Sequence, residues 1–266
     1  MGGFGDPAAI GEQVSEFGRL VLAPNPGPMT LDGTNSYVLR APGAAGCVIV
    51  DPGPAIEEHL RLLAAAGPVE LVLLTHHHFD HTAGAAWFAE LTGAPVRAID
   101  PELCIGADAV VDGERISAAG LELEVWATPG HTADSLSIVL ADDGEHGAAL
   151  TGDTVLGRGT TIIVDPDGAL GPYLGSLERL RDFGARGPVS VLTGHGPTLP
   201  DLREICEAYL AHRAERLDQV RAALAMIGAD ASAGAVTDIV YADVDPAVRG
   251  AAEASVRAQL RYLREG

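Results

Sequence analysis

Lysine is absent from this chain. All 17 basic residues are arginine, set against 37 acidic residues for a net charge of −20. Lysine codons are AT-rich, so an Ala-, Gly-, Pro- and Arg-rich chain without lysine points to a GC-rich bacterial genome. A surface this acidic repels phosphate polymers, and a nucleic-acid role would need a local basic patch to overcome that. Aromatic residues make up only 5% of the chain and hydrophobic residues 47%, so the core is expected to be aliphatic. Cysteine is scarce. Cys47, Cys104 and Cys206 are widely spaced and form no CxxC pair, which excludes a redox or cysteine-zinc motif and fits reduced, buried thiols. No apolar run approaches 18 residues, which excludes a spanning helix read from sequence. The first 13 residues have neither the basic nor the apolar region of a secretory signal, and Asp6 stands where a myristoylation site needs Ser or Thr. They are Gly-rich and expected to be loose. These absences predict a soluble, cytoplasmic protein with no membrane partner. They leave its oligomeric state open.

A length of 266 residues suits one large α/β domain with at most a small addition. Short apolar runs alternate with turn signals. Val48 to Val50 reads as a strand stopped by Asp51-Pro52-Gly53-Pro54, and Ala55 to Ala66 as a helix stopped by Gly67-Pro68. Val69 to Leu74 is a continuous apolar run of the kind found in buried parallel strands. Gly84 to Leu91 reads as a helix. Strand-like runs follow at Leu121 to Trp126, Leu136 to Leu140, Ala148 to Leu150 and Val189 to Leu192. After Pro200 the pattern turns helical: Asp201 to Met226, Ala235 to Tyr241, and Pro246 to Leu263 with Asp245 as N-cap. The expected organisation is a loose segment 1–13, an α/β layered domain 14–198, and a small helical unit 199–266.

The strongest chemical signal is Thr75-His76-His77-His78-Phe79-Asp80-His81, directly after an apolar strand. Histidine and aspartate are costly to bury, so such a cluster needs a partner, and imidazole with carboxylate suits zinc and its neighbours. Positions i, i+2, i+4 and i+5 cannot share one helical face, but they can converge from an extended turn that enters a helix. Three other runs repeat the pattern of strand, glycine turn and ligand. They end in Gly130-His131, Gly152-Asp153 and Gly194-His195. A lone strand histidine is ordinarily a satisfied core residue. Four strands that each deliver a ligand to one sheet end require a shared site. His77, pointing the other way along an extended segment, is expected at the mouth rather than on a metal. Tyr37, Arg158, Thr160, Thr161 and Tyr173 are candidate substrate contacts, and ordinary loop packing explains each of them equally well. His59, His146 and His212 match no motif.

Together these segments resemble the metallo-β-lactamase-fold hydrolase superfamily. The segments Pro24 to Thr30, Gly33 to Tyr37, Gly152 to Thr161, Gly194 to Pro197 and Tyr209 to Arg213 resemble its β-lactamase-like protein 2 subfamily. The resemblance implies an αββα sandwich over roughly residues 14–198 and a C-terminal winged-helix domain. It implies one metal on His76, His78 and His131, and a second on Asp80, His81 and His195. Asp153 would bridge them together with a hydroxide, and Asp51 would lie beneath the site. Two Zn²⁺ are the expected cofactors, with Mn or Fe also compatible with such ligands.

Paired metals polarise a carbonyl or phosphoryl group and activate water, with Asp80 and Asp153 as the catalytic carboxylates. The favoured substrate is a small-molecule thioester, ester or lactone. The alternative is single-stranded RNA, as for animal relatives of the subfamily, but charge disfavours it: residues 199–266 hold 8 Arg against 11 Asp and Glu, and a nucleic-acid-binding winged helix should show a basic face. A secreted β-lactamase is excluded by the missing export signal and by Asp153, which stands where those enzymes carry Cys or Ser. The full ligand set argues against a one-iron dioxygenase and against a non-catalytic regulator.

Overall fold

The computed structural model describes residues 10–243 and 245–265. Two twisted sheets lie face to face. The first has the order β1 (Glu12–Gln13), β2 (Gly18–Leu22), β3 (Asn35–Leu39), β4 (Cys47–Val50), β5 (Val69–Leu73), β6 (Val96–Arg97). It is antiparallel as far as β4 and parallel from β4 to β6. The second runs β11 (Ser190–Thr193), β10 (Ala148–Gly152), β9 (Leu136–Leu140), β8 (Leu121–Ala127), β7 (Arg115–Ala118), with only β10 and β11 parallel.

Strand alternation assigns each side chain to a layer. Val48 and Val50 face the inter-sheet core with Leu39, Leu73, Leu123, Val125, Ile138 and Leu150. Their neighbours Cys47 and Ile49 face outward, onto α1 (Glu57–Ala64) and α3 (Ala85–Thr92) through Leu60, Leu63 and Phe88. On the far side, Ala149 and Val191 meet α4 (Leu170–Phe183) and α5 (Leu202–Ile227) through Leu177, Leu180, Leu202 and Cys206. The result is the expected α/β sandwich of four layers, αββα, with an aliphatic core.

The 26-residue helix α5 starts at Asp201, whose side chain accepts from the N–H groups of Arg203 and Glu204 and so satisfies two end donors. Its first half lies in the outer layer of the sandwich. Its second half supplies Val220 and Ala223 to a small separate core with Val236 of α6 (Ala233–Val240) and Val256 and Leu260 of α7 (Arg249–Glu265). Beyond residue 200 the described residues are helical and contain no strand, so the small helical unit is present without the β-wing of the expected winged helix.

The expected loose segment falls largely on residues 1–9, which lie outside the described residues. Glu12 and Gln13 pair with Leu20 and Arg19 as an edge strand. No helix among the described residues is long and apolar enough to cross a membrane.

Candidate metal centre

The seven predicted ligands meet at one end of the sandwich. After β5 the chain bends through Thr75 to His77, which brings His76 and His78 to the same ligand group while His77 turns away to Asp134 (2.8 Å) and Asp167 (3.6 Å). His78 is the N-cap of the short helix α2 (Phe79–Thr82), which then swings Asp80 and His81 back toward the site. The opposite sheet supplies the rest. The turn after β8 presents His131 through Gly130, whose φ of +140° is open to glycine. A Cβ there would lie 2.3 Å from the Tyr173 backbone. The end of β10 presents Asp153 and the end of β11 presents His195. Gly194 must stay bare, because a Cβ would lie 2.3 Å from Asp153 Oδ1.

Two ligand groups result: His76, His78, His131 and Asp153, and Asp80, His81 and His195. Within the first, His78 Nδ1 lies 3.0 Å from His76 Nε2 and 3.1 Å from His131 Nε2. Within the second, His195 Nε2 lies 3.2 Å from His81 Nε2 and 3.1 Å from Asp80 Oδ2. Asp153 reaches both, at 3.7 Å from His131 Nε2, 3.4 Å from His195 Nε2 and 3.6 Å from His81 Nε2.

The outer hydrogen bonds fix which nitrogen of each ring is bare. His131 Nδ1–H donates to the Ile162 carbonyl (2.9 Å), His195 Nδ1–H to the Gly33 carbonyl (3.0 Å) and His81 Nδ1–H to Asp51 (2.8 Å). Thr75 gives its own hydroxyl proton to Asp51 Oδ2 (2.6 Å), so its oxygen accepts from His76 Nδ1 (3.0 Å). In their neutral, ligating form these four rings each aim an Nε2 lone pair into the shared space; without a metal, Asp80 and Asp153 keep a proton on His195 Nε2 in its place. Asp153 Oδ1 is buried without a hydrogen-bond partner. Lone pairs facing each other at about 3 Å repel unless a cation sits between them, and the donor set fits divalent metal held in place by an outer shell of hydrogen bonds.

The electrostatics agree. Burial, together with neighbouring imidazoles, keeps His76 well below the usual histidine range and His78 at about 4, so both stay neutral and able to ligate. Burial also opposes charge on His195, but hydrogen bonds to Asp153 and Asp80 outweigh it and hold its pKa up at about 10. Burial opposes ionisation of Asp80 too, yet His195 and His81 draw it down to about 2. Two carboxylates here call for positive charge.

The substrate-contact expectations need correction. Tyr173 is fully buried and its hydroxyl donates to the Thr154 carbonyl (2.8 Å), so it cannot reach an oxyanion. Tyr37 is equally buried and donates to the Thr193 carbonyl (2.8 Å). Thr161 donates to the backbone carbonyl of Asp153 (2.7 Å), a support for the bridging residue rather than a surface for substrate. Arg158 is exposed and pairs with Asp32. Thr160 lines a different cavity, behind the ligand loop. Sequence reasoning missed the carbonyls of Gly33 and Ile162, since no side-chain pattern advertises a backbone acceptor. It also missed the apolar rim. Phe79 is 84% exposed between two ligands, and Met29 is exposed on the loop that leads to Gly33 and Thr34.

Comparison with known proteins agrees with this geometry. Residues 29–195 match the family model described as the metallo-beta-lactamase superfamily. A beta-lactamase-like protein 2 homolog of Caenorhabditis elegans is 32% identical over 265 residues, covering 95% of this chain and 85% of that protein. An atrochrysone carboxyl ACP thioesterase of Aspergillus fumigatus is 34% identical over 214 residues, 77% of this chain but just 64% of the fungal protein. Among solved structures, a metallo-beta-lactamase family protein of Thermus thermophilus superposes with a TM-score of 0.74 at 25% identity, covering 93% of each chain. Two sheets carrying ligands at one shared end, and a sequence match that spans those ligands, lead to one conclusion: the chain belongs to the metallo-beta-lactamase superfamily and is one of its metal-dependent hydrolases.

Proposed function

We propose that this protein binds two divalent metals, zinc in the first instance, and hydrolyses a small-molecule acyl thioester, ester or lactone. The observation that carries the proposal is Asp153. Its carboxylate lies within 3.4–3.7 Å of ring nitrogens from both ligand groups, and Oδ1 has no other partner. His76, His78 and His131 would hold one ion, Asp80, His81 and His195 the other, and Asp153 both. Bound ions of this kind polarise the scissile bond and make a water acidic enough to attack at neutral pH.

The chain's own residues do the rest. Asp51 and the Gly33 and Ile162 carbonyls hold His81, His195 and His131 in register, so little reorganisation is needed during reaction. Asp80, with its carboxylate 3.1 Å from His195 Nε2, is placed to orient the group bound beside it. The rim favours an acyl group over a polyanion. Phe79 and Met29 are apolar and exposed, while Asp134 and Asp167 add negative charge beside His77. Arg158 is already neutralised by Asp32. The named thioesterase activity of the fungal relative supports the same class.

The test is a panel of acyl thioesters, esters and lactones, with labelled single-stranded RNA alongside, given to protein loaded separately with Zn, Mn or Fe. Hydrolysis of at least one acyl substrate is expected, with two metals per chain by elemental analysis and a loss of at least about a hundredfold in Asp153→Asn. An untouched acyl panel with cleaved RNA would transfer the reading to phosphodiester hydrolysis.

A further inference from the structure

The segment Thr160 to Ile162 has two sides. On one, the Ile162 carbonyl accepts from the ligand His131, and Thr161 supports the Asp153 backbone. On the other, the same three residues wall an open cavity of about 200 Å³ flanked by α5, α7 and Tyr241 at the end of α6. That volume admits a tetrahedral anion with a few waters, at roughly 30 Å³ of liquid per water. Its charged lining groups are Arg213 and Arg216, with a neutral His212 beside them, and no carboxylate lines it among the described residues.

This is unusual for a chain of net charge −20. Exposed arginines here generally have acidic partners, as Arg158 has Asp32 and Arg261 has Asp165. Arg213 and Arg216 have none among the described residues. Arg213 is 4% exposed. It donates to the Thr161 carbonyl and stacks 5.1 Å from the centre of the Tyr173 ring, but its Nε–H has no acceptor. Arg216 stacks on Tyr241 (4.9 Å) and donates to Gln219 and, at 3.5 Å, to His212 Nε2. That last contact leaves the His212 proton on Nδ1, which is buried without a partner. Burying a guanidinium without a counter-charge is expensive, and a burial cost of this kind is relieved by an anion. Thr160, Ser255 and Tyr241 add hydroxyl donors around the same space, more than a planar carboxylate uses and suited to a tetrahedral group.

We propose that this cavity binds a phosphate carried on the thiol arm of the substrate, one loop away from the metal centre. The proposal rests on the acyl-thioester reading for the identity of the arm. The phosphate-binding chemistry itself comes from the cavity.

Metal-loaded protein is titrated calorimetrically with two product-like thiols, phosphopantetheine and pantetheine, which differ only in the phosphate. Charge-assisted contacts should make the phosphorylated thiol bind at least about tenfold more tightly. That ratio should collapse toward one in Arg216→Ala and in Arg216→Glu, which alter a half-buried side chain at the cavity edge and are checked for folding by circular dichroism. A ratio near one in the native protein, or a ratio that survives both substitutions, overturns the proposal. If the ratio behaves as expected while no thioester is hydrolysed, the phosphate site stands and the acyl-transfer reading alone fails.

Discussion

Asp51 binds nothing that reacts, yet the centre hangs on it. Its buried carboxylate accepts from the Thr75 N–H (2.8 Å), the Thr75 hydroxyl (2.6 Å) and His81 Nδ1–H (2.8 Å). An asparagine has one acceptor oxygen, and its NH₂ would face donors. In Asp51→Asn, His81 loses the hydrogen bond that sets its ring, and affinity for the metal on Asp80, His81 and His195 should fall about 10- to 100-fold. Asp51 sits at a φ of +50°, which asparagine tolerates, so backbone strain does not confuse the result. Competition with a graded chelator measures the loss, and unchanged affinity would refute the role. His59 gives a separate prediction. It is 3% exposed, packs its Nε2 against Ser36 Oγ (2.9 Å), and burial pushes its pKa down to about 4. The folded state therefore resists a proton that the unfolded chain takes up near 6.5. Its contribution is present above about pH 6.5 and is lost as pH falls through 4. Between pH 7 and 4.5, metal-free native protein should lose roughly 2–3 kcal/mol more stability in urea than His59→Gln. Parallel losses in the two would sink this.

At the scale of elements, the parts that read well were those whose pattern has a single explanation. The apolar run Val69 to Leu74 became β5, parallel to both neighbours, and its His76 to His81 continuation became the extended-turn-to-helix that the ligand spacing required. All seven ligands converge because each side chain advertises its own chemistry. Helix α4 was not legible. Gly171, Pro172 and Gly175 lie within it and read as turn signals, while Tyr173, Leu177 and Leu180 pack it against the second sheet and override local propensity. β2 and β3 were hidden because Gly18, Arg19, Asn35 and Ser36 break up their apolar runs. The aromatic candidates failed for a related reason: proximity in sequence to a ligand does not say which way a side chain faces, and Tyr37 and Tyr173 both turn inward to backbone carbonyls. His212 carried no motif, because what singles it out is two arginines one turn of helix or less away and a cavity that only the packed helices create.

For the whole molecule, the location of the ligands matters more than their number. His76, His78, Asp80 and His81 follow β5 of the first sheet, while His131, Asp153 and His195 follow β8, β10 and β11 of the second. Metal at this end therefore bridges the two sheets as well as serving chemistry. Without it, the imidazole nitrogens and the Asp80 and Asp153 carboxylates crowd one small volume, and the sheets are held together there by the apolar core below the site and by hydrogen bonds such as those from Asn35 and Tyr37 to the Thr193 carbonyl. A ligand that binds only the folded state at a hundredfold excess over its dissociation constant adds about 2.7 kcal/mol. For a chain of this size that corresponds to roughly 5–10 °C in melting temperature. Chelation of the metal-loaded protein should lower the melting temperature by about that amount, and restored metal should recover it. In Asp153→Asn, which weakens the residue shared by both ligand groups, the chelation shift should shrink. A melting temperature indifferent to chelation would mean that the seven residues hold no ion in the folded protein, and the two-metal hydrolase reading would fall with it.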